Sequence, residues 1–320
     1  MTLFVQLLIV GLSGGAIYAL IALGYTMVYG IIELINFAHG DIFMIGTFIT
    51  ITILQAFNIT DDPNVNGTLV AAILIAFFAS MILCAILGVV IERIAYRPLR
   101  NAPRLAPLIS AIGVSLVLED IGKLWKGLSP ISPPQIFGAG AVFYIGPISI
   151  QVVDIVVVVV SILLMVGLQW MVNSTRLGRA MRAVAQDREA AALMGVNVDF
   201  IISFTFLVGT GLAGAAGFIY LLKFPVTTFT IGFDLGLIAF TAAVLGGIGN
   251  LYGAMLGGLV IGLVQSLVNL IPDSNNPSSH GLGLPHGGGA WATAIIFAIL
   301  ILILVFRPSG LLGQQTPEKV

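Results

Sequence analysis

The chain has 320 residues, 58% hydrophobic and only 8% charged, with 13 basic and 14 acidic side chains and a formal net charge of −1. Its mean hydropathy of +1.10 and its recurring long apolar runs place it among polytopic membrane proteins, because about 20 helical residues cross a hydrocarbon core ~30 Å thick. The balanced charge leaves no nucleic-acid footprint, and the single cysteine, Cys84, excludes an internal disulfide.

Residues 1–20, MTLFVQLLIVGLSGGAIYAL, carry no basic n-region and stay apolar past any cleavage site, so they read as the first membrane helix and not as a signal peptide. Candidate spans follow at residues 4–29, 42–57, 68–91, 105–121, 152–172, 200–222, 235–248, 252–271 and 290–306. The second and seventh are short for a crossing, so either can be re-entrant or broken. The expectation is an all-α, polytopic helical bundle with eight or nine spans, forming one integral domain over residues 1–320. Residues 152–160 are valine-rich, but an isolated strand in lipid leaves its backbone unpaired, so they too are read as helix.

Basic residues give the orientation. Arg93, Arg97, Arg100 and Arg104 follow the third span, Arg176, Arg179, Arg182 and Arg188 follow the fifth, and Arg307 and Lys319 follow the last. The positive-inside rule puts these segments in the cytoplasm. The loops around Asp61, Asp62 and Pro63, at 129–147 and at 272–289, are then external, with Lys123, Lys126 and Lys223 as exceptions on the outer side. Nine crossings place the N-terminus outside; eight place it inside. Trp125, Trp170 and Trp291 fall near span ends, as in an aromatic belt.

Small residues recur at four-residue spacing: Gly11 and Gly15, then Gly249, Gly253 and Gly257, then Gly258 and Gly262. Such spacing lets helix backbones approach closely. GLSGGA at 11–16 is echoed by GLAGAA at 211–216, which admits either an internal repeat or a chance match of small residues.

Residues 31–46, IIELINFAHGDIFMIG, set Glu33, Asn36, His39 and Asp41 between apolar runs. A charge at the centre of a membrane helix costs roughly 2.5–3.5 kcal/mol, so these groups face water, a cavity or one another. Two readings stand side by side. One is a helix break lining a solute path, with Asn36 and His39 as polar contacts and Gly40 giving room; the other is an interfacial turn. Residues 239–250, AFTAAVLGGIGN, likewise fit either a half-helix whose glycine end (Gly246, Gly247, Gly249) opens into a cavity or a tight turn between two crossings. His39 has no second metal ligand at helical spacing, and His280 and His286 lie in a loop of turn formers, so no metal site is expected.

Residues 175–199, TRLGRAMRAVAQDREAAALMGVNVD, hold Arg176, Arg179, Arg182, Asp187, Arg188, Glu189 and Asp199. In so apolar a chain this stretch belongs in water, as a helix stopped by Gly195 and Asn197. No nucleotide-binding loop, metalloprotease signature or nucleophile elbow is present, so the chain is not itself an ATPase, and no cofactor is expected.

Several long motifs now stand in order: GYTMVYGIIELINFAHGDIFMIG at 24–46, ERIAYRPLR at 92–100, LISAIGVSL at 108–116, the charged stretch, AFTAAVLGGIGNLYGAMLGG at 239–258 and RPSGLLG at 307–313. Together they make the chain similar, over nearly its whole length, to permease subunits of bacterial ABC importers for branched-chain amino acids, of the LivH type. The resemblance reaches permeases for urea and short amides as well. It implies that residues 174–199 form a cytoplasmic coupling loop, with Asp187, Glu189, Ala190, Ala191, Gly195 and Asn197 engaging an ATPase. It further implies a LivM-type permease partner, two ABC ATPase subunits and a periplasmic or lipid-anchored solute-binding protein, all assembled on the lipid bilayer of the inner membrane.

Overall fold

The computed structural model describes residues 2–34, 36–59, 66–100, 102–103, 105–134, 136, 142–145, 148–274, 283–307 and 309–313. Asp61, Asp62, Pro63, Arg104, His280 and Lys319, used above to read topology and loops, lie outside the described residues.

The apolar runs become α1 (Thr2–Ile32), α2 (Ala38–Ala56), α3 (Gly67–Ile91), α4 (Leu105–Lys126), α5 (Val152–Ser174), α8 (Val198–Lys223), α9 (Ile231–Gly246), α10 (Leu251–Val268) and α11 (Gly287–Phe306). Between α5 and α8 stand two short helices, α6 (Arg176–Gln186) and α7 (Arg188–Leu193). Among the described residues eight helices are long and apolar enough to cross a membrane; α9, with 16 residues, is not. The second span, short in the sequence reading, gains a turn at its start and reaches 19 residues. The valine-rich start of α5 is helical, as lipid requires. Unanticipated is a hairpin before it: β1 (Val142–Ile145) pairs antiparallel with β2 (Ile148–Gln151), Val142 opposite Gln151.

Burial divides the helices. α1, α2 and α8 form the centre, whereas less than a third of the residues in the apolar stretches of α3, α4, α5 and α11 are buried. In a bilayer that outer surface needs no protein cover, because lipid is as apolar as leucine. Close contact in the centre is made by small residues. A Cβ on Gly262 would overlap the Gly15 backbone and one on Gly258 would overlap Ala19, so α1 and α10 touch along the glycine spacing seen in the sequence. Gly257, on another side of α10, faces the Ala242 carbonyl of α9.

The packing pattern occurs twice. α1 lies along α10 as α8 lies along α3; α2 packs on α3 and α4 as α9 packs on α10 and α11. α1 and α8 cross antiparallel, with Gly24 beside Gly209 at one level and Val10 beside Lys223 at another. The helices carrying GLSGGA and GLAGAA are therefore counterparts in two intertwined halves, the arrangement an inverted repeat produces.

α2 and α9 occupy matching places in these halves. His39, in the first turn of α2, packs on Gly24 of α1, eight residues or about 12 Å back from the end of α1 at a 1.5 Å rise per residue. The chain thus re-enters the bundle between α1 and α2. The first turn of α9 meets the first turn of α2 there: a Cβ on Gly40 would overlap the Gly232 carbonyl, and Gly236 stands alongside. Each helix carries an aspartate in its first turn, Asp41 and Asp234, where a negative charge is favoured by the helix dipole.

Candidate functional site

Two regions carry the polar groups picked out from sequence: the interior start of α2, and the arginine-rich face around α6 and α7.

At the start of α2 the side chains are held by protein on all sides. The Tyr96 hydroxyl donates to Asn36 Oδ1 at 2.6 Å, the His39 ring lies 4.7 Å from that of Tyr25, and Ser115 on α4 donates to Asp41. His39 and Asp41 are fully buried, and Asn36 nearly so. The structure brings Asn36, His39 and Gly40 together with Tyr25, Ser115, Gly232 and Gly236, partners on distant segments that no local pattern could supply. In this conformation the room expected at Gly40 is filled by Gly232.

Gly246, Gly247 and Gly249 are not near that cluster. Gly246 ends α9 and Gly247 has φ of 105°, a left-handed value open to glycine, before Asn250 caps α10 by accepting from the Gly253 amide at 3.2 Å. Residues 309–313 close over this end, with the Leu311 and Leu312 amides donating to the Leu245 and Gly246 carbonyls at 2.8 and 3.0 Å. Of the two readings of this end, the tight turn is the one seen at Gly246 and Gly247, where the glycines serve a packed reversal of the chain. Gly249 borders a cleft of about 90 Å³ shared with Thr26, Gly30 and Arg182.

The arginine-rich face is a set of caps and ties. The expected single helix over 175–199 is two helices, because Asp187 breaks it (φ −158°) and caps the second: its carboxylate accepts from the Glu189 and Ala190 amides at 2.9 and 3.0 Å. Gly195, at φ 84°, ends α7 with the Val196 amide donating back to the Ala191 carbonyl at 3.0 Å. Asn197 then caps α8, accepting from Phe200 at 3.1 Å. Asp187, Gly195 and Asn197 thus shape the corner. Glu189 and Ala190 face outward, and Ala191 is buried beneath them.

Sequence reading missed what the corner displays. Leu193 and Met194 are 88% and 85% exposed at the end of α7. Their signal was present, as two large apolar residues directly before a helix-ending glycine, but it was masked by the apolar character of the whole chain.

Arginines fasten this corner to the membrane helices. Arg182 donates to the Val172 carbonyl at the end of α5, and Arg188 Nη2 donates to the Ile31 carbonyl at the end of α1 at 2.7 Å. Asp199, at the start of α8, pairs with Arg97 and Arg100, and Arg100 also reaches the buried Glu92, which accepts from Ser203 at 2.7 Å. A cleft of about 280 Å³ lies between α6–α7 and the α1–α2 junction, lined by Ile31, Glu33, Leu34, Arg100 and residues 184–188. Among the described residues no cluster of His, Cys, Asp and Glu could hold a metal.

The basic exceptions on the opposite face have partners. Lys223 pairs with Asp154 at 2.7 Å and donates to Ser13, so it is a buried tie between α8, α5 and α1. Lys123 pairs with Asp120 at 2.8 Å, and Lys126 donates to Gln55 at 3.3 Å.

The family model described as branched-chain amino acid transport system, permease component, matches residues 7–304. The chain belongs to this family. A high-affinity branched-chain amino acid transport system permease protein, BraD, of Pseudomonas aeruginosa is 41% identical, covering 99% of this chain and 98% of that protein. LivH of Escherichia coli, named likewise, is 38% identical over the same shares, and a probable LivH of Methanocaldococcus jannaschii is 28% identical over 94% of this chain and 91% of its own. An autoinducer 2 import permease, LsrC, of Yersinia pseudotuberculosis stands further off, 24% identical over 81% of this chain and 69% of that protein. No solved structure matches. The chain is therefore a multi-pass inner-membrane permease, a transport subunit and not an enzyme, of a family that works with partner subunits.

Proposed function

We propose that this permease imports branched-chain amino acids as one half of the membrane unit of an ATP-driven, binding-protein-dependent importer. The substrate assignment is supported by the names of the relatives at 38–41% identity. Residues 1–320 act as one transmembrane domain, and residues 174–199 are its cytoplasmic coupling segment. A LivM-type permease completes the path, two ATPase subunits supply the energy, and a periplasmic or lipid-anchored binding protein delivers the solute to the outer face.

The observation that carries the ATPase partner is the exposed Leu193–Met194 pair on a charged corner. Large apolar side chains held out in water from a well-capped helix suit insertion into a pocket of another subunit, with polar rim residues such as Glu189 setting register. Ala190 leaves room for close approach. Nucleotide-driven closure of the ATPase pair moves this corner, and the helices tied to it swing the two halves of the fold about their shared centre. On the path itself, Asn36 and His39 are proposed as polar contacts that open to solute when the first turns of α2 and α9 separate.

Leu193→Asp combined with Met194→Asp should abolish co-purification of the ATPase while the permease still inserts and folds. Retained ATPase binding would remove the corner from the coupling role. Asn36→Ala and His39→Ala should lower uptake with assembly intact; unchanged uptake kinetics would remove them from the path.

A further inference from the structure

Resting on the coupling-segment reading above, we propose that Arg188 is the positioning residue that passes displacement of α7 to the break between α1 and α2. The last carbonyls of a helix have no partner within it. At the end of α1, the Tyr29 carbonyl is taken by the Glu33 amide at 2.7 Å, and the Ile31 carbonyl by the Arg188 guanidinium at 2.7 Å. Arg188 is the first residue of α7, so its backbone moves with the corner that carries Leu193 and Met194.

What Arg188 holds is a hinge. Two residues on from Ile31, Glu33 has φ of 59°, a left-handed conformation that is uncommon for a residue with a Cβ. Beyond it the chain re-enters the bundle and starts α2 against the first turn of α9. Pulling on Ile31 therefore acts on the segment that positions Asn36 and His39. Beside the bond, the 280 Å³ cleft separates Leu34 from residues 184–187, so the corner has room to shift relative to the junction. Among the described residues, the other hydrogen bonds made by α7 stay within its own caps and turns, which leaves Arg188 as its polar link to a membrane helix. A plain helix cap at the same place predicts a change in stability and no change in energy coupling, and this separates the two roles.

The test uses the complete complex of both permeases, the ATPase subunits and the binding protein in proteoliposomes, with leucine uptake and ATP hydrolysis read on the same sample. Arg188→Ala should keep assembly and hydrolysis, while uptake per ATP falls about tenfold, equivalent to ~1.4 kcal/mol of lost coupling. Arg188→Lys, which keeps a charged donor, should recover most of the ratio. An unchanged ratio in Arg188→Ala, or a lysine variant as defective as alanine, overturns the proposal. Where alanine prevents assembly, Arg188→Gln is read in its place, its shorter neutral amide being expected to lower the ratio and an unchanged ratio being equally fatal. A wild-type complex without ATP-dependent uptake overturns the importer reading and the proposal with it; a normal wild type with an unaltered ratio in Arg188→Ala overturns the proposal alone.

Discussion

Gly40, in the first turn of α2, stands against the carbonyl of Gly232, in the first turn of α9, so the two helices begin where they touch. Neither position has space for one more carbon. Gly40→Ala forces these first turns apart, at about 1–3 kcal/mol for an overpacked site, and Gly40→Val costs more. Lower thermal stability of the purified permease in detergent, graded from alanine to valine, checks the contact; equal stability of wild type and Gly40→Val contradicts it.

The pair Asp154–Lys223 makes a second prediction. Both side chains are about nine-tenths buried, and removing one partner of a buried pair leaves an uncompensated charge, at about 3–5 kcal/mol. Lys223→Met should destabilise strongly, and Asp154→Asn added to it should restore much of the loss. The double-mutant cycle in thermal unfolding reads the coupling directly. Additive losses would show that the two residues do not depend on each other.

A contrast between two arginines is a third. Arg97 and Asp199 are both about half exposed, so Arg97→Ala should change stability by less than about 1 kcal/mol. Arg100 also pairs with Glu92, whose side chain is fully buried, so Arg100→Ala should cost several times more, about 3–5 kcal/mol. Similar losses from both variants would remove Glu92 as the difference.

Much of this architecture was legible in the sequence, because lipid forces apolar backbone into helices and hydropathy marks where they run. Burial order was not. α2 is the most polar of the long spans and sits at the centre, while α11, among the most apolar, has the smallest buried share. The polar residues at and just before the start of α2 are ones that tertiary partners hold, Asn36 by Tyr96 and Asp41 by Ser115. The glycines at 246–249 signalled a chain reversal correctly but not its cover, since residues 309–313 come from the far end of the sequence. At the charged corner, sequence placed a water-exposed helical segment and its stop at Gly195, but not the break and cap at Asp187. It did not separate Asp187, Gly195 and Asn197, which shape the corner, from Leu193 and Met194, which it presents.

The most direct test of the coupling role uses Met194→Cys. The one native cysteine, Cys84, is fully buried in α3 with its thiol against the Ile42 carbonyl at 3.4 Å, so the introduced thiol is the reactive one. With the permease pair alone, a membrane-impermeant maleimide added from the cytoplasmic side should label position 194 rapidly. With the ATPase subunits bound, labelling should fall and a short bifunctional reagent should join position 194 to an ATPase subunit. Equal labelling with and without the ATPase, and no cross-link, would contradict the account.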